Sequence, residues 1–295
     1  MSVCSRVERE FKNCRIAVIG VGKIGEGILR GLLKAGYRNL IGTVKTARRR
    51  EAIDLPVEII LDNRKAVKDA DIVFLCVKPY QVKEVLEEIS DLLQGKLLIS
   101  VAAAISTSYI EKLVKDVKVV RAMPNISIIA GYSATAISPG SNVTEEELQR
   151  VKELFDSMGY CVVVDERYMD AVTAYSGSGP AYVLVFYEAM LLAGLKVGLP
   201  REVASELAVH TMIGSVYLLN KAGKHPAELR DMVITPGGVT IDAIHVLEQK
   251  GFRAILIDAI DKAYEKSKKL SETLDRELTE KAIKHAEYKY RRKEN

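Results

Sequence analysis

Two glycine loops are the segments of this sequence whose residue types and spacing could do chemistry. Gly20, Gly22 and Gly25 form the pattern G-x-G-x-x-G between a strand-like run and a helical pattern. In that context the first glycine permits a tight turn, the second lets backbone approach a pyrophosphate, and the third lets helix and strand pack closely. The phosphate would meet free N–H groups at the positive end of the helix. The loop therefore predicts dinucleotide binding, the alternative being an ordinary strand-to-helix turn.

The segment "GTVKTARRRE" (42–51) bears on which dinucleotide is bound. Sites for NAD usually place an acidic residue at the end of the second strand. Here no acidic residue precedes Glu51, whereas Lys45, Arg48, Arg49 and Arg50 are basic. We therefore predict NADPH, with Lys45 among its contacts and NADH as the alternative cofactor. A solvated helix start would explain the same arginines.

The second glycine loop lies in "DMVITPGGVTIDAIHVLE" (231–248). Gly237 and Gly238 tolerate unusual backbone angles and leave their N–H groups exposed. Val239 and Thr240 add further N–H groups at a helix start, which together predict an anion-binding nest. Thr240 stands where an N-cap is expected, so simple helix capping is the alternative role of its hydroxyl.

The first half of the chain alternates short apolar runs with helical patterns, as expected for parallel strands buried on both faces. We predict a doubly wound, mostly parallel α/β sheet. Six strands are predicted at 15–20, 40–44, 57–61, 71–77, 96–102 and 117–123, and two more at 133–138 and 160–164 extend the sheet.

The pattern changes after Asp165, because only helical runs follow. We therefore predict a dinucleotide-binding domain over 1–165 and a helical domain over 166–295. The helical runs Ala181–Ala193 and Ala204–Leu219 carry more apolar surface than one small domain buries, which predicts a homo-oligomer. The most apolar stretch, Ala181–Leu199, contains Glu188 and Lys196, so we expect a buried helix rather than a membrane span.

Composition excludes several other classes of protein. The 295 residues carry a net charge of +4, too balanced to indicate nucleic acid or an anionic membrane as partner. The cysteines (Cys4, Cys14, Cys76 and Cys161) have no metal-ligand spacing, so we expect free thiols and no metal. The segment "MSVCSRVEREFKN" has no apolar run and predicts no signal peptide, which favours a cytoplasmic protein.

The sequence resembles the pyrroline-5-carboxylate reductase family from Arg15 to about Lys268. The strongest segments are "DAVTAYSGSGPAYV" (170–183), "GLP" (198–200), "HPAEL" (225–229) and "TPGGVTIDAIHVLEQKGFRAIL" (235–256), and the weaker ones are "VKP" (77–79), "SVAAAIS" (100–106) and "RAMPN" (121–125). The resemblance implies reduction of the cyclic imine 1-pyrroline-5-carboxylate to L-proline with hydride from NAD(P)H. It also implies a Rossmann-like domain followed by a helical dimerisation domain, whose dimers often assemble into larger rings.

The resemblance further implies which residues bind. The implied cofactor contacts are Gly20, Gly22, Lys23, Ile24, Gly25, Asn63, Val77, Lys78, Pro79, Ala103 and Asn125. The implied substrate contacts are Thr235, Gly237, Gly238, Val239 and Thr240, with Thr173 and Ser176 facing the substrate or its supporting residues. The Thr240 hydroxyl would face the imine nitrogen as hydrogen-bond partner or proton donor, with bound water as the alternative donor. No histidine is assigned to catalysis, and His225, which precedes Pro226, is expected to cap or brace the next helix.

Three residues depart from the family pattern. Val44 stands where members usually carry a small polar residue near the adenosine ribose, which weakens the case for NADPH unless Lys45 or Thr46 takes over that contact. Met232 and Ile234 replace polar residues before the Pro-Gly-Gly turn. Two alternatives therefore stay open: a reductase of another cyclic imino acid, and a dinucleotide-binding sensor without catalysis.

Overall fold

The structure is a computed structural model that describes residues 13–291, with side chains described as far as residue 276. Cys4 and the segment predicted to contain no signal peptide therefore lie outside the described residues, apart from Asn13. So do the side chains of the charged tail beyond Arg276, including His285. The remaining predictions can be compared with the structure.

One eight-stranded sheet organises the first part of the chain. Its strands are β1 (Ile16–Ile19), β2 (Leu40–Thr43), β3 (Glu58–Ile60), β4 (Ile72–Leu75), β5 (Leu97–Ser100), β6 (Lys118–Met123), β7 (Ser133–Pro139) and β8 (Gly159–Val163). All eight predicted strands are present, and the order across the sheet is β3-β2-β1-β4-β5-β6-β7-β8. Every pair is parallel except β6 with β7, so the last two strands run opposite to the first six. The prediction of a doubly wound, mostly parallel sheet is confirmed.

Helices cover both faces of this sheet. They are α1 (Lys23–Lys34), α2 (Ala47–Glu51), α3 (Asn63–Lys68), α4 (Val82–Ile89), α5 (Thr107–Leu113) and α6 (Glu145–Asp156). The start of several is fixed by a side chain that accepts a backbone N–H, as Thr46, Asp62, Ser106 and Thr144 do. One core cluster joins β1, β4 and β5 to α1 and α6, and includes Phe74 packed edge-on to Phe155 at 6.1 Å. A second cluster on the opposite face joins the same strands to α3, α4 and α5.

The described chain after β8 is helical. It comprises α7 (Met169–Val172), a π-helical turn (Thr173–Gly177), α8 (Gly179–Lys196), α9 (Arg201–Ala222), α10 (Pro226–Asp231), α11 (Val239–Gln249) and α12 (Phe252–Arg291). His225 caps α10, because its Nδ1 accepts the N–H of Ala227 at 3.3 Å. The expectation that His225 caps or braces this helix is therefore confirmed.

The chain forms two compact units. The first runs through Ser178 and resumes at Ala263, and the second comprises Gly179–Lys262. The last helix thus belongs to the second unit at its start and to the first unit after Lys262. The predicted division at residue 165 lies instead just after the last strand of the sheet. It remains a prediction about where the dinucleotide-binding domain ends and the helical domain begins.

A cluster of charged and hydroxyl side chains holds the returning helix inside the first unit. Arg121 of β6 is buried, with Nη1 donating to Glu166 Oε1 at 2.7 Å and Nη2 lying 3.8 Å from Asp170 Oδ1. Asp170 Oδ1 also accepts the hydroxyls of Ser267 at 3.0 Å and Ser271 at 2.7 Å. Arg121 therefore joins β6 to the segment after β8, and Asp170 of that segment joins it to the carboxyl part of α12.

The expectation of a buried helix at Ala181–Leu199 is wrong for the single chain. No residue of α8 is buried, and side chains such as Leu184, Val185 and Leu192 are more than half exposed. The reason is that α8 is apolar around most of its circumference, so no single contact within one chain could cover it. Among the described residues, one helical stretch, Glu166–Lys196, is long and apolar enough to span a membrane by length and composition. A single stretch of this kind is weak evidence, since a helix covered by another protein chain meets the same criterion.

Candidate cofactor and substrate sites

The first glycine loop has the shape that a pyrophosphate needs. Gly20 adopts φ +90°, and a Cβ there would lie 2.9 Å from the carbonyl oxygen of Cys76. A Cβ on Gly25 would lie 2.6 Å from the carbonyl oxygen of Gly20. At Gly22, in contrast, a Cβ would meet no atom within 4 Å, so this glycine borders open space. Gly20 and Gly25 thus keep the loop tight, while Gly22 leaves room for a group to approach the backbone.

The backbone of this loop is tied to the end of β2. The N–H groups of Gly20 and Val21 donate to the carbonyl of Thr43 at 3.2 and 2.8 Å. Gly22 is the N-cap of α1 and provides no side-chain cap. The first-turn N–H groups of α1, which include Lys23 and Ile24, have no intrahelical acceptor. A phosphate fits this fixed set of donors.

A cleft of about 500 Å³ opens beside the loop. Its lining comprises Ile19, Gly20, Val21, Gly22, Thr43, Val44, Lys45, Thr46, Arg49, Leu61, Asn63, Cys76, Val77, Lys78, Gln81, Glu84, Val85 and Glu88. Six predicted cofactor contacts are thus brought together: Gly20, Gly22, Lys45, Asn63, Val77 and Lys78. Lys23, Ile24 and Gly25 follow directly in the first turn of α1.

The basic side of the cleft is formed by Lys45 and Arg49, whereas Arg48 and Arg50 do not line it. Arg49 Nε donates to the carbonyl of Val21 at 3.1 Å, and Nη2 pairs with Glu26 at 2.6 Å. The hydrogen bond from Arg30, with that from Arg49, lowers the pKa of Glu26. Arg49 is therefore held against the glycine loop. The sequence alone did not indicate which of the three consecutive arginines lies there.

Other lining residues were missed by the sequence analysis. Thr43, Gln81, Glu84 and Glu88 belong to no recognised motif, and three of them lie on the segment from Gln81 into α4. Their positions become evident only when α4 is placed beside β1 and β4. Cys76 also lines the cleft, and burial raises the pKa of its thiol, so an unreactive buried thiol accounts for it.

The other six predicted contacts do not line this cleft, and three of them, Pro79, Ala103 and Asn125, also lie outside the glycine loop and α1. Asn125 instead caps a short turn through its Oδ1 and donates from Nδ2 to the carbonyl of Ser176 at 3.1 Å. Ala103 precedes Ala104, which adopts the left-handed conformation with φ +61°. Ala103 follows β5 and Asn125 follows β6 in the chain.

Thr173 and Ser176 lie in the π-helical turn, a feature often found at functional sites. The Thr173 hydroxyl donates to the carbonyl of Met169 at 2.8 Å, and the Ser176 hydroxyl donates to that of Val172 at 3.3 Å. Both oxygens can still accept a hydrogen bond. Direct substrate contact by either residue remains a prediction.

The Pro-Gly-Gly loop lies in the second unit. Gly237 adopts φ +68°, and the N–H of Gly238 donates to the carbonyl of Thr235 at 3.0 Å, which closes a turn. The N-cap of α11 is Gly238, so the expectation that Thr240 occupies the cap position is wrong. The left-handed Gly237 turns the chain early enough for the helix to begin at Val239. Because the cap has no side chain, the first N–H groups of α11 receive no side-chain acceptor from it.

The residues around this loop are open in the single chain. Val239 is 88% exposed and Met232 is 69% exposed. Ile234, the other departure from the family pattern, is half-buried. The loop therefore presents N–H donors and apolar side chains on one surface, which suits a small molecule with a carboxylate and an apolar ring.

Within the described residues no group of three or more histidine, cysteine, aspartate or glutamate side chains could hold a metal ion. Cys14, Cys76 and Cys161 form no disulfide. His245 is exposed on α11 rather than packed within it.

Comparison with known proteins identifies similar families over both parts of the chain. The family model described as pyrroline-5-carboxylate reductase dimerisation matches residues 166–270. The model described as NADP oxidoreductase coenzyme F420-dependent matches residues 15–104.

Individual relatives extend the similarity to nearly the whole chain. The chain is 37% identical to a pyrroline-5-carboxylate reductase of Methanosarcina acetivorans over 271 residues, which cover 88% of this chain and 99% of that protein. It is 38% identical to a protein of the same name from Glycine max, over 87% of this chain and 96% of that protein. The solved structure of Plasmodium falciparum pyrroline carboxylate reductase with NADP bound matches with a TM-score of 0.82 and 30% identity, over 88% of this chain and 99% of that one.

Proposed function

The chain belongs to the pyrroline-5-carboxylate reductase family, and we propose that it carries out the family's reaction with the residues described above. It is an NADP-dependent oxidoreductase that reduces the cyclic imine 1-pyrroline-5-carboxylate to L-proline. The assignment of residues rests on one observation, that the same chain contains both glycine sites. The backbone at Gly22 borders open space, and the turn at Gly237 and Gly238 leads directly into the start of α11.

The cleft of the first unit would hold the cofactor. The N–H groups at the start of α1 and the open backbone at Gly22 suit its pyrophosphate. Lys45 and Arg49 suit a 2′-phosphate, because both are cationic and Arg49 is already fixed by Val21 and Glu26. Val44 offers no hydrogen-bond donor to a 2′-phosphate, so the proposed preference for NADPH rests on Lys45 and Arg49.

The loop of the second unit would hold the substrate. Its carboxylate would accept hydrogen bonds from the N–H groups of Gly238, Val239 and Thr240 at the positive end of α11. Thr235 faces Gly238 within the same turn, since its side-chain oxygen would be only 2.3 Å from a Cβ there. A larger residue at Gly238 would therefore displace Thr235 and disturb the nest.

The chemistry would rest on positioning and on one hydroxyl. When bound, NADPH supplies the hydride that the imine carbon accepts. The Thr240 hydroxyl is not used as a helix cap, so its proton and lone pairs are available to the imine nitrogen. The nest would orient the substrate by its carboxylate, which converts a two-body encounter into a positioned reaction.

The protein forms a homo-oligomer, and we propose that the helical part of the chain, residues 166–295, mediates it. The support is the exposed apolar surface of α8 and α9, including Val185, Ile213 and Val216, which water would otherwise contact. We also propose a cytoplasmic location, which suits three cysteines that form no disulfide.

The test is the oxidation of NADPH, followed by its absorbance, with 1-pyrroline-5-carboxylate and with NADH run beside it. Turnover with a larger kcat/KM for NADPH is expected. Absence of turnover at saturating imine and cofactor would overturn the proposal, and turnover only with a larger cyclic imino acid would reassign the substrate and direct attention to Met232 and Ile234.

A Thr240→Ala variant tests the hydroxyl separately. We expect kcat to fall about a hundredfold, the lower end of the range for proton transfer by a positioned group, with the Kd for NADPH unchanged. Thr240→Ser keeps the hydroxyl and should retain most of the activity. Equal kcat in the alanine variant would assign the proton to water.

A further inference from the structure

Four residues of the cleft are joined by consecutive hydrogen bonds, in which each residue donates to the next one in the direction of α4. The N–H of Gly20 donates to Thr43 Oγ1 at 3.3 Å, and the Thr43 hydroxyl donates to Asn63 Oδ1 at 2.7 Å. Asn63 Nδ2 then donates to Glu88 Oε2 at 2.9 Å. The chain crosses the cleft from the glycine loop to α4, although these residues are distant in the sequence.

Glu88 sets the direction of this chain. An ionised carboxylate can only accept hydrogen bonds, so the amide nitrogen of Asn63 must face Glu88 and its oxygen must face Thr43. Thr43 is buried and its hydroxyl is a donor to Asn63, which agrees with that orientation. Without an acceptor at position 88, the two ends of the Asn63 amide would no longer be distinguished.

The backbone on both sides of the contact is fixed. Arg64, next to Asn63 in α3, donates to the carbonyl of Glu88 at 2.5 Å. The same guanidinium makes two parallel bonds of 2.7 Å to Asp91, beyond the end of α4. Asn63 and Glu88 are therefore held at a constant separation by a neighbouring contact that does not use their own side chains.

We infer that Glu88 is a positioning residue for the nucleotide cofactor, acting through Asn63. The oriented amide offers its second Nδ2 hydrogen to the cleft, and the carboxylate offers an acceptor beside it. A donor next to an acceptor matches a sugar hydroxyl, which accepts one hydrogen bond and donates another. This inference rests on the proposed NADP-dependent function and names how the same cleft holds its ligand.

The charge of Glu88 adds a second consequence. Its carboxylate lies in the same cleft as Lys45 and Arg49, so it opposes the binding of an anionic nucleotide while it orients Asn63. A glutamine at position 88 would keep an oxygen to accept from Asn63 and would remove the negative charge. The two contributions of Glu88 can therefore be separated by comparing glutamine with alanine.

The experiment measures the Kd for NADPH by titration calorimetry on the purified full-length protein without imine. We expect Glu88→Ala to raise the Kd three- to tenfold, whereas Glu88→Gln, which keeps an acceptor and loses the opposing charge, should bind NADPH at least as tightly as the natural protein. Glu87→Ala is the matched control, because Glu87 is the adjacent residue of α4, pairs with Lys83 at 3.5 Å and does not line the cleft. Its Kd should not change.

A double substitution tests whether Glu88 acts through Asn63. If it does, Asn63→Ala combined with Glu88→Ala should bind NADPH no more weakly than Asn63→Ala alone. Additive losses, or an unchanged Kd in a folded Glu88→Ala variant, would overturn the inference. A natural protein that binds NADPH and shows the predicted variant effects but reduces no imine would overturn the proposed reaction and leave the role of Glu88 standing.

Discussion

Replacing Arg121 by methionine should strongly destabilise the first unit. The Arg121 side chain is 3% exposed and pairs with Glu166, which is 29% exposed, and with Asp170, which is 20% exposed. Removing one partner of a buried ion pair typically costs about 3–5 kcal/mol, because the other charge is left without compensation. Asp170 would keep the hydroxyls of Ser267 and Ser271, and Glu166 retains some contact with water. We therefore expect a loss at the lower end, about 3 kcal/mol.

Urea unfolding followed by far-UV circular dichroism measures this loss, since the chain contains no tryptophan to report by fluorescence. With an m value of about 2 kcal/mol per molar urea, the midpoint should fall by about 1.5 M. Lys118→Met is the control from the same strand. Lys118 pairs with Glu147 at 2.7 Å but is 36% exposed, so the variant should lose less than about 1 kcal/mol.

A double variant, Arg121→Met with Glu166→Leu, identifies the cause. If the loss comes from an uncompensated carboxylate, replacing both partners by apolar side chains should restore most of the stability. A midpoint for Arg121→Met within about 0.3 M of the natural protein, which corresponds to about 0.6 kcal/mol at the same m value, would refute the reasoning.

Three further predictions concern the loops and acid stability. Gly22→Ala should fold normally but raise the Kd for NADPH, whereas Gly25→Ala should lower the melting temperature. The reason is that only a Cβ at Gly25 would meet the protein, at 2.6 Å from the carbonyl oxygen of Gly20. Calorimetry and thermal unfolding that show the reverse would contradict this. Ala104→Gly should stabilise the protein by up to about 1 kcal/mol in urea unfolding by relieving the left-handed conformation, and a net loss would show that glycine's extra freedom in the unfolded chain outweighs the strain. The folded-state pKa of Glu26 is lowered, so its contribution is present above the unfolded pKa and is lost as pH falls through the folded pKa. Glu26→Gln should therefore show a smaller decrease in stability on acidification, and identical pH profiles would assign the acid sensitivity to other groups.

The sheet could be predicted from the sequence because each strand is a short apolar run between turn or helix signals. Runs such as "DIVFLCV" have apolar side chains on both faces, which only a strand covered on both sides can bury. The reversed direction of β7 and β8 could not be predicted from those runs. Apolar periodicity records burial, and it carries no information on the direction of a strand relative to its neighbour.

The candidate sites were predicted where a local backbone requirement marks the sequence. Gly20 and Gly237 adopt positive φ, and each lies in a short motif that is visible by inspection. Glu88 has no such requirement, because its role depends on a contact with Asn63 that only the folded sheet creates. The prediction that Thr240 occupies the N-cap was wrong, because the cap was assigned from residue preference. The turn at Gly237 starts the helix earlier, so that Gly238 is the N-cap.

The interruption of the first unit by the second has a consequence for biosynthesis. Every residue that lines the cleft lies between Ile19 and Glu88, and the last strand ends at Val163, so both leave the ribosome before the second unit. Ser267 and Ser271 leave it only after the whole of the second unit. Because domains fold as units from the N-terminus during synthesis, the nascent sheet can meet its cofactor while the helical unit is still being made. The two hydroxyls that reach Asp170 can therefore join the first unit only after the whole helical unit has been translated.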